Sequence, residues 1–485
     1  MTTDRSPLEP ADWDTLRRDA AAALEAAISH LEHRGARPVW RPVPETVKAA
    51  FREPAPRGGA EPAALLARFT GEIAAYDLGN THPRFYGWVH GAGTPEAVIP
   101  AMLEAALNAN LGGREHAAVY VERQVIAWCR EIFGFPEGAG GLVVSGTSMA
   151  TVLAMKAALA RRFGAAIRDE GVAALPARPI AYASAEAHSC IAKAFDLLGL
   201  GRAAVRKVPV DAAFRMDTAA LRALIAEDRA AGRLPFVLVG TAGTVNQGAI
   251  DPLDELAGIA AAEGLWYHVD GAFGALAVLS PDLAPRVAGI ERADSLAFDF
   301  HKWLHVTYDA GFILMRDESA LRAAFSERPD YLAAAERGLA AGNPWFTEYG
   351  PELSRGFRAL KVWYQLRRFG LDALGAAMAG NCRLACHLAA RVDAHPALER
   401  LAPVALDIVC FRALPPAGGA QDAADALNEA IVIALQERGL AAPSTTRLGG
   451  RLAIRVNLSN HRTTEADLDA LVDDTARLAA EFGAG

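Results

Sequence analysis

In the stretch DFHKWLHVTYDAG, Asp299 to Gly311, Lys302 stands between a histidine and a tryptophan, directly after the apolar run DSLAF. A lysine at the edge of a core needs a reason, because a free amine with a pKa of about 10.4 is a poor nucleophile and a costly charge to bury. An amine desolvated there and joined as an imine to an aldehyde escapes both problems. Asp270 ends a second apolar run, WYHVDGAFGA, at a strand terminus where open α/β sheets place their ligands. Gly271, Ala272 and Gly274 leave flat space beside its carboxylate. In LVVSGTSMATVLAM a strand runs into a Ser-Gly-Thr-Ser turn that opens a helix, so backbone N–H groups and the hydroxyls of Thr147 and Ser148 can surround a phosphate. Singly, these are an ordinary ion pair and an ordinary helix cap. The turn lacks the P-loop lysine, and GAGTPE at Gly91 lacks the third glycine of a dinucleotide fingerprint. Together they meet three demands of pyridoxal phosphate: an amine for the aldehyde, a carboxylate that keeps the pyridine nitrogen protonated, and an anchor for the phosphate.

The segments that must position these groups alternate in type. GLVVSG, PIAYAS, FVLVGTAGTV, LWYHVDGAFG, SLAFDF and GFILMR are short, largely apolar runs separated by Ala/Leu-rich helical stretches. Runs buried on both faces with helices between them predict a large α/β domain over 84–360, with a mostly parallel sheet flanked by helices. Residues 361–485 read as a smaller α+β domain containing the strands DIVCFRAL and RLAIRVNLS and a last helix, EADLDALVDDTARLAAEFG. DWDTLRRDAAAALEAAISHLEHRG has helical periodicity between a capping residue and a glycine. With the Pro-rich connectors RPVWRPVPETV and REPAPRGGAEP it makes an N-terminal helical arm, 1–83, of a kind that packs better on a partner subunit than on its own chain.

Composition narrows the field. Of 485 residues, 52% are apolar and 22% charged, which suits a globular protein, and a net charge of −8 argues against nucleic-acid and anionic-membrane partners. Five cysteines, sparse and odd in number, fit a reducing cytoplasm. NCRLACH, Asn381 to His387, has no second ligand pair at finger spacing, so no metal site is expected. The N-terminus lacks the basic end and apolar block of a signal peptide, and the longest uncharged stretch is too rich in Gly, Ser and Thr to span a membrane.

The ordered set THPRFYGWV, SGTSMAT, SAEAHSCIAKA, GTAGTVNQGAIDPLDEL, WYHVDGAFGA, ADSLAFDFHKW, PDYL, LSRGFRALKVW and IVCFR resembles the group II pyridoxal-phosphate decarboxylases, which include aromatic amino-acid, glutamate and diaminobutyrate decarboxylases. The resemblance covers nearly the whole chain from about residue 10. It implies the fold type I architecture of pyridoxal-phosphate enzymes and a homodimer with exchanged N-terminal arms. It also implies roles. Lys302 would be the Schiff-base lysine and Asp270 the partner of the pyridinium, with Ala272 against one ring face and His188 stacked on the other. Thr147, Ser148 and His301 would hold the phosphate, and Thr244 would join the cofactor-binding set. Tyr331 matches the tyrosine of a mobile loop, here 326–345, that donates a proton to the substrate carbon. Trp88, His90, Gly91, Arg114 and His116 would line the substrate pocket, the last two in a wall supplied across the dimer.

The reaction so implied converts an L-amino acid to a primary amine and CO₂. The alternative on the same scaffold is decarboxylation-dependent oxidative deamination to an aldehyde, ammonia and hydrogen peroxide, whose relatives usually replace the loop tyrosine by phenylalanine or alter the stacking histidine. Both residues are retained here, as Tyr331 and His188. An aminotransferase fits the ordered motifs poorly, and a silent binding homologue is disfavoured by the presence of Lys302, Asp270 and Tyr331.

Several positions depart from the family pattern. Asp299 stands where many relatives carry asparagine, an odd neighbour for a phosphate unless it is turned away or protonated. Val245 replaces a threonine and Met149 a glutamate, and Val89, His90 and Gly91 replace an apolar-Pro-Thr stretch. Arg114, Glu115 and His116 replace a largely apolar wall. The polar residues at 90 and 114–116 predict a substrate with a polar or acidic side chain.

Overall fold

The computed structural model describes residues 8–327, 335–415 and 421–483. Its strands, in chain order, are β1 (Phe85–Tyr86), β2 (Gly140–Val144), β3 (Pro179–Ser184), β4 (Val205–Val208), β5 (Leu234–Thr241), β6 (Trp266–Asp270), β7 (Ser295–Asp299), β8 (Gly311–Met315), β9 (Leu398–Arg400), β10 (Ile408–Ala413), β11 (Ala442–Leu448) and β12 (Arg451–Asn457). Seven form one sheet in the order β2-β8-β7-β6-β5-β3-β4. Only β8 runs against the others, so the sheet is mostly parallel, as the alternating runs predict. β2, β3, β7 and β8 are buried along their whole length, which is why they read as continuous apolar stretches. Ala-rich helices cover the sheet; Thr147–Phe163 buries alanines at 150, 154, 157, 158 and 160, small side chains that let its backbone approach closely.

A second sheet, β1-β11-β12-β10-β9, belongs to the C-terminal part. β1 lies inside the stretch assigned by sequence to the large domain, yet it pairs in parallel with β11, Phe85 opposite Ala442. The long helix Arg358–Asp393 crosses residue 360 and breaks its helical geometry at Gly370, where φ is 74°. β4 and β11 escaped the sequence reading. VRKV puts charges in an edge strand, and APSTTRL has no apolar run.

A buried ion pair fixes the strand that leads to the Ser-Gly-Thr-Ser turn. Glu122, on the helix Ala117–Ile132, accepts from the Val143 N–H at 3.0 Å. Arg355 donates to Glu122 at 2.6 Å and to the carbonyls of Val143 (2.7 Å) and Leu111 (2.9 Å). Both charged groups have hydrogen-bonded partners, Arg355 through its two terminal nitrogens, which is the condition under which burying them is tolerated.

Buried titratable groups make the fold acid-sensitive. Burial pushes His82 down to about 4 and His268 to about 3, and holds His305 well below the usual histidine range. Burial raises Asp251 and Asp407 to about 6. As pH falls below the usual histidine value of about 6.5, the three histidines protonate in the unfolded chain but not in the folded one, so each removes stability. The two carboxyls take up their protons first in the folded chain, so they oppose the loss between about pH 6 and pH 4. Burial also lowers His461 to about 4 and depresses His90, His188 and His301, so the histidines that lose stability outnumber the two carboxyls that oppose the loss. Urea midpoints are expected to fall steadily from about pH 6.5 to pH 5; midpoints that stay level or rise would refute this balance.

Candidate active site

The C-terminal ends of β2, β3, β5, β6 and β7 open onto one cavity of about 540 Å³, the position at which parallel sheets collect ligands. Lys302 enters it from the turn after β7. The next residue, Trp303, is fully buried and donates its indole N–H to Asn381 at 3.0 Å, anchoring the turn against the long helix. Lys302 Nζ lies 2.8 Å from Asp299 Oδ2. Burial pulls the Lys302 ammonium downward, but the charge and hydrogen bond of Asp299, with Asp270 and Tyr308 beyond, outweigh it and leave the pKa above the ordinary lysine value. The amine is therefore held charged.

Asp270 sits at the end of β6, 2% exposed. Its Oδ1 accepts from the Ala272 N–H at 3.2 Å, and the thiol of Cys190 donates to Oδ2 at 3.6 Å. The tight turn after it depends on Gly274, where a Cβ would meet the Ala242 carbonyl oxygen at 2.3 Å. His188 follows β3, accepts through Nδ1 from the Cys190 N–H at 3.2 Å, and lines the cavity together with Ala272. Thr147 and Ser148 open the helix at the end of β2 and also face the cavity. The Thr147 N–H donates to Asp299 Oδ1 at 2.6 Å. His301 Nδ1 accepts from the Ala310 N–H at 3.1 Å, which leaves the proton on Nε2, 3.6 Å from Asp299 Oδ2. Burial, more than the neighbouring charges, keeps its pKa low and the imidazole neutral.

Among the described residues, three that line the cavity carry buried polar atoms without a partner: Thr147 Oγ1, Thr241 Oγ1 and His90 Nδ1. Buried polar atoms are nearly always paired, so a cluster of orphans around one cavity indicates a polar ligand. Lysine, carboxylate and unpaired hydroxyls fit pyridoxal phosphate: Lys302 for the aldehyde, Asp270 for the ring nitrogen, Thr147 with Ser148 and His301 for the phosphate. Among the described residues there is no cluster that could hold a metal ion.

Not every candidate reaches the cavity. Thr244 is not among the residues that line it, and its hydroxyl oxygen accepts from the Ala249 N–H at 2.9 Å. Gly91 packs so closely that a Cβ would fall 1.7 Å from the His301 carbonyl oxygen, and its N–H donates to the Tyr308 hydroxyl at 3.3 Å. Arg114 lies over the Trp345 ring at 4.2 Å, and His116 precedes the helix Ala117–Ile132 at its N-cap position without a side-chain capping hydrogen bond. Neither lines the cavity of its own chain. Trp88 and His90 do, their rings 5.7 Å apart. Of the polar set behind the substrate expectation, His90 alone is therefore on the wall. Tyr331 lies outside the described residues.

The sequence reading gave no role to Tyr308, Cys190 or Arg455. Tyr308 stands six positions after Lys302, lines the cavity, and places its ring 4.4 Å from that of His301. Cys190 is two residues past His188, a spacing that carries no recognised chemistry. Arg455, on β12, is buried and donates to the carbonyls of Trp88 (2.8 Å) and Asn246 (3.0 Å), clamping the cavity wall to the second sheet. Trp88 reinforces that clamp by donating its N–H to Ser444 Oγ at 3.2 Å.

Comparison with known proteins agrees with this arrangement. The family described as "Pyridoxal-dependent decarboxylase conserved domain" matches residues 44–414. The chain is 32% identical over 473 residues to an aromatic-L-amino-acid decarboxylase of Bacillus atrophaeus, covering 96% of each protein. It is 32% identical to an L-2,4-diaminobutyrate decarboxylase of Rhizobium meliloti, covering 89% of this chain and 84% of that one. Among solved structures, the glutamate decarboxylase domain of a diaminobutyrate-pyruvate transaminase and L-2,4-diaminobutyrate decarboxylase from Vibrio parahaemolyticus superposes with a TM-score of 0.84 at 26% identity, covering 98% and 97% of the two chains. The relatives differ in substrate and share a cofactor chemistry, and on that common ground the chain belongs to the pyridoxal-phosphate-dependent amino-acid decarboxylases.

Proposed function

We propose that this protein decarboxylates an L-amino acid to a primary amine and CO₂, with Lys302 as the covalent tether of pyridoxal phosphate. The observation that carries the reading is the convergence of Lys302, Asp270 and the unpaired polar atoms of Thr147, Thr241 and His90 on one cavity. When bound, pyridoxal phosphate supplies an electron sink for the pair left by departing CO₂. The remaining work falls to side chains. Asp270 holds a proton at the inner end of the cavity through its carboxylate, which backbone and thiol donors keep oriented. His301, neutral with its proton on Nε2, offers a donor to an anion beside Thr147. Ala272 and His188 provide wall for a flat ring, and Trp88, His90 and Tyr308 border the space left for the substrate side chain. Tyr331 delivers a proton to the substrate carbon, a role that rests on the family resemblance of PDYL.

A panel of amino acids, with CO₂, amine, aldehyde and peroxide measured together, tests the reading. Amine is expected in stoichiometry with CO₂; peroxide and aldehyde in that ratio would overturn it in favour of oxidative deamination. Tyr331→Phe is expected to shift product from amine toward aldehyde. A variant that still yields amine alone at the wild-type rate would remove Tyr331 from the mechanism.

The N-terminal arm supports a homodimer. The helix Trp13–Glu32, capped by Asp12 accepting from the N–H groups of Asp14 and Thr15, buries none of its residues in its own chain. Trp13, Leu16 and Ile28 are exposed, as are Leu65, Phe69, Leu103 and Leu107 beyond the arm helix. So much apolar surface is covered when a second copy exchanges arms. Exchange would also let Arg114 and His116 approach the partner's cavity. Sedimentation equilibrium should return twice the chain mass, and a single-chain mass would exclude the exchange.

A further inference from the structure

His188 and Asp270 must act on one flat ring, yet the sheet does not register them against each other. His188 follows β3 and Asp270 ends β6, and β5 runs between those two strands, so no backbone ladder joins them across a gap of roughly 10 Å. Thr241, the β5 residue in register with Asp270, does not span it, because its hydroxyl is buried without a partner. Cys190 does span it. This residue opens the helix Cys190–Leu197, is 2% exposed, and lines the cavity. Its N–H donates to His188 Nδ1 at 3.2 Å, and burial keeps that imidazole neutral, so the ring proton sits on Nε2. Its thiol lies 3.6 Å from Asp270 Oδ2. Burial first, then the Asp270 charge, push the pKa of the thiol up, so the sulfur keeps its hydrogen and is a donor. Thr151 is a competing acceptor beside it, its own hydroxyl hydrogen committed to the Thr147 carbonyl at 2.8 Å. Between a neutral hydroxyl and a carboxylate, the charged group binds a donor more strongly.

We propose that Cys190 is a positioning residue that fixes His188 and Asp270 in one frame before the cofactor arrives, the ring-face residue through its N–H and the ring-nitrogen residue through its S–H. A thiol is a weak donor, so its contribution comes through preorganisation: a carboxylate already aimed loses less freedom when the ring nitrogen binds. Without the thiol, the carboxylate can turn about its hold on the Ala272 N–H. The proposal rests on the pyridoxal-phosphate reading for the ring that the frame serves; the bond between thiol and carboxylate does not.

The test begins on the full-length protein without cofactor. The S–H stretching band of Cys190, taken as the infrared difference between wild type and Cys190→Ala, is expected below the frequency of a thiol that has no acceptor. It should rise toward that frequency in Asp270→Asn, where the acceptor is neutral. A band already at the unbonded frequency, or one that Asp270→Asn leaves in place, would overturn the proposal. Pyridoxal phosphate is then titrated by visible absorbance. Cys190→Ala is expected to bind it about tenfold more weakly, the low end for a hydrogen bond to a charged group. Cys190→Val, which fills the space without a donor, should lose as much. Affinities within about twofold of wild type, or a loss that Cys190→Val restores, would overturn it as well. If Cys190→Ala fails a melting check, Cys190→Ser supplies the difference spectrum and the band decides. Wild type that gains no visible absorbance refutes the cofactor reading and with it the role at the ring, while the band still reports whether the thiol holds Asp270.

Discussion

Lys302→Ala is expected to abolish turnover, by at least about 10⁴-fold, and to remove the visible absorbance that the wild type acquires with pyridoxal phosphate. The magnitude follows from what the amine does. Its ammonium is the cation facing Asp299 in the cavity, and the aldehyde of the cofactor has no other lysine among the residues that line the site. Lys302→Arg should fare no better, since a guanidinium stays protonated and cannot act as the nucleophile. Borohydride reduction of the loaded wild-type enzyme, followed by peptide mass mapping, should place the cofactor on the segment from Asp299 to Gly311. An adduct on any other lysine, or a variant that still turns over, would end the assignment.

Asp270→Asn should be the next most damaging change, lowering kcat by about 10²- to 10⁴-fold with cofactor still bound. Asparagine preserves the shape and can still accept from the Ala272 N–H, so the turn after β6 should survive. What it cannot do is carry the negative charge that keeps a pyridine nitrogen protonated at neutral pH. The cofactor then loses its electron-withdrawing power while Lys302 remains able to hold it. Retained absorbance with collapsed kcat, and partial recovery in Asp270→Glu, would distinguish this role from a structural one. A kcat within about threefold of wild type would show that the charge at the end of β6 does not act on the reaction.

The residues at the cavity were legible in the sequence where chemistry and strand pattern coincided. β2, β6 and β7 are apolar runs that stop abruptly at Ser145, Asp270 and Asp299, and sheet topology alone obliges those stops to share one edge. The orientation of Asp299 was not legible, because the sequence leaves open whether its carboxylate turns away; its bonds to the Thr147 N–H and the Lys302 ammonium define it. The pairing of β1 with β11 joins residues some three hundred and fifty positions apart, and two aromatic residues flanked by glycine and arginine give no periodicity to announce it. Thr244 shows a detail that position alone does not give. A threonine after β5 matches the cofactor-binding pattern by position, yet its hydroxyl closes a local turn on Ala249.

The clamp from Arg455 and Ser444 onto the backbone at Trp88 ties the cavity wall to a sheet whose strands contribute no residue to the cavity lining. If Trp88 borders the substrate as proposed, selection on the C-terminal third of the protein would retune which amino acid is accepted while leaving Lys302 and Asp270 untouched. New preferences are reachable there by small adjustments of a scaffold, at positions where the chemistry is not at risk.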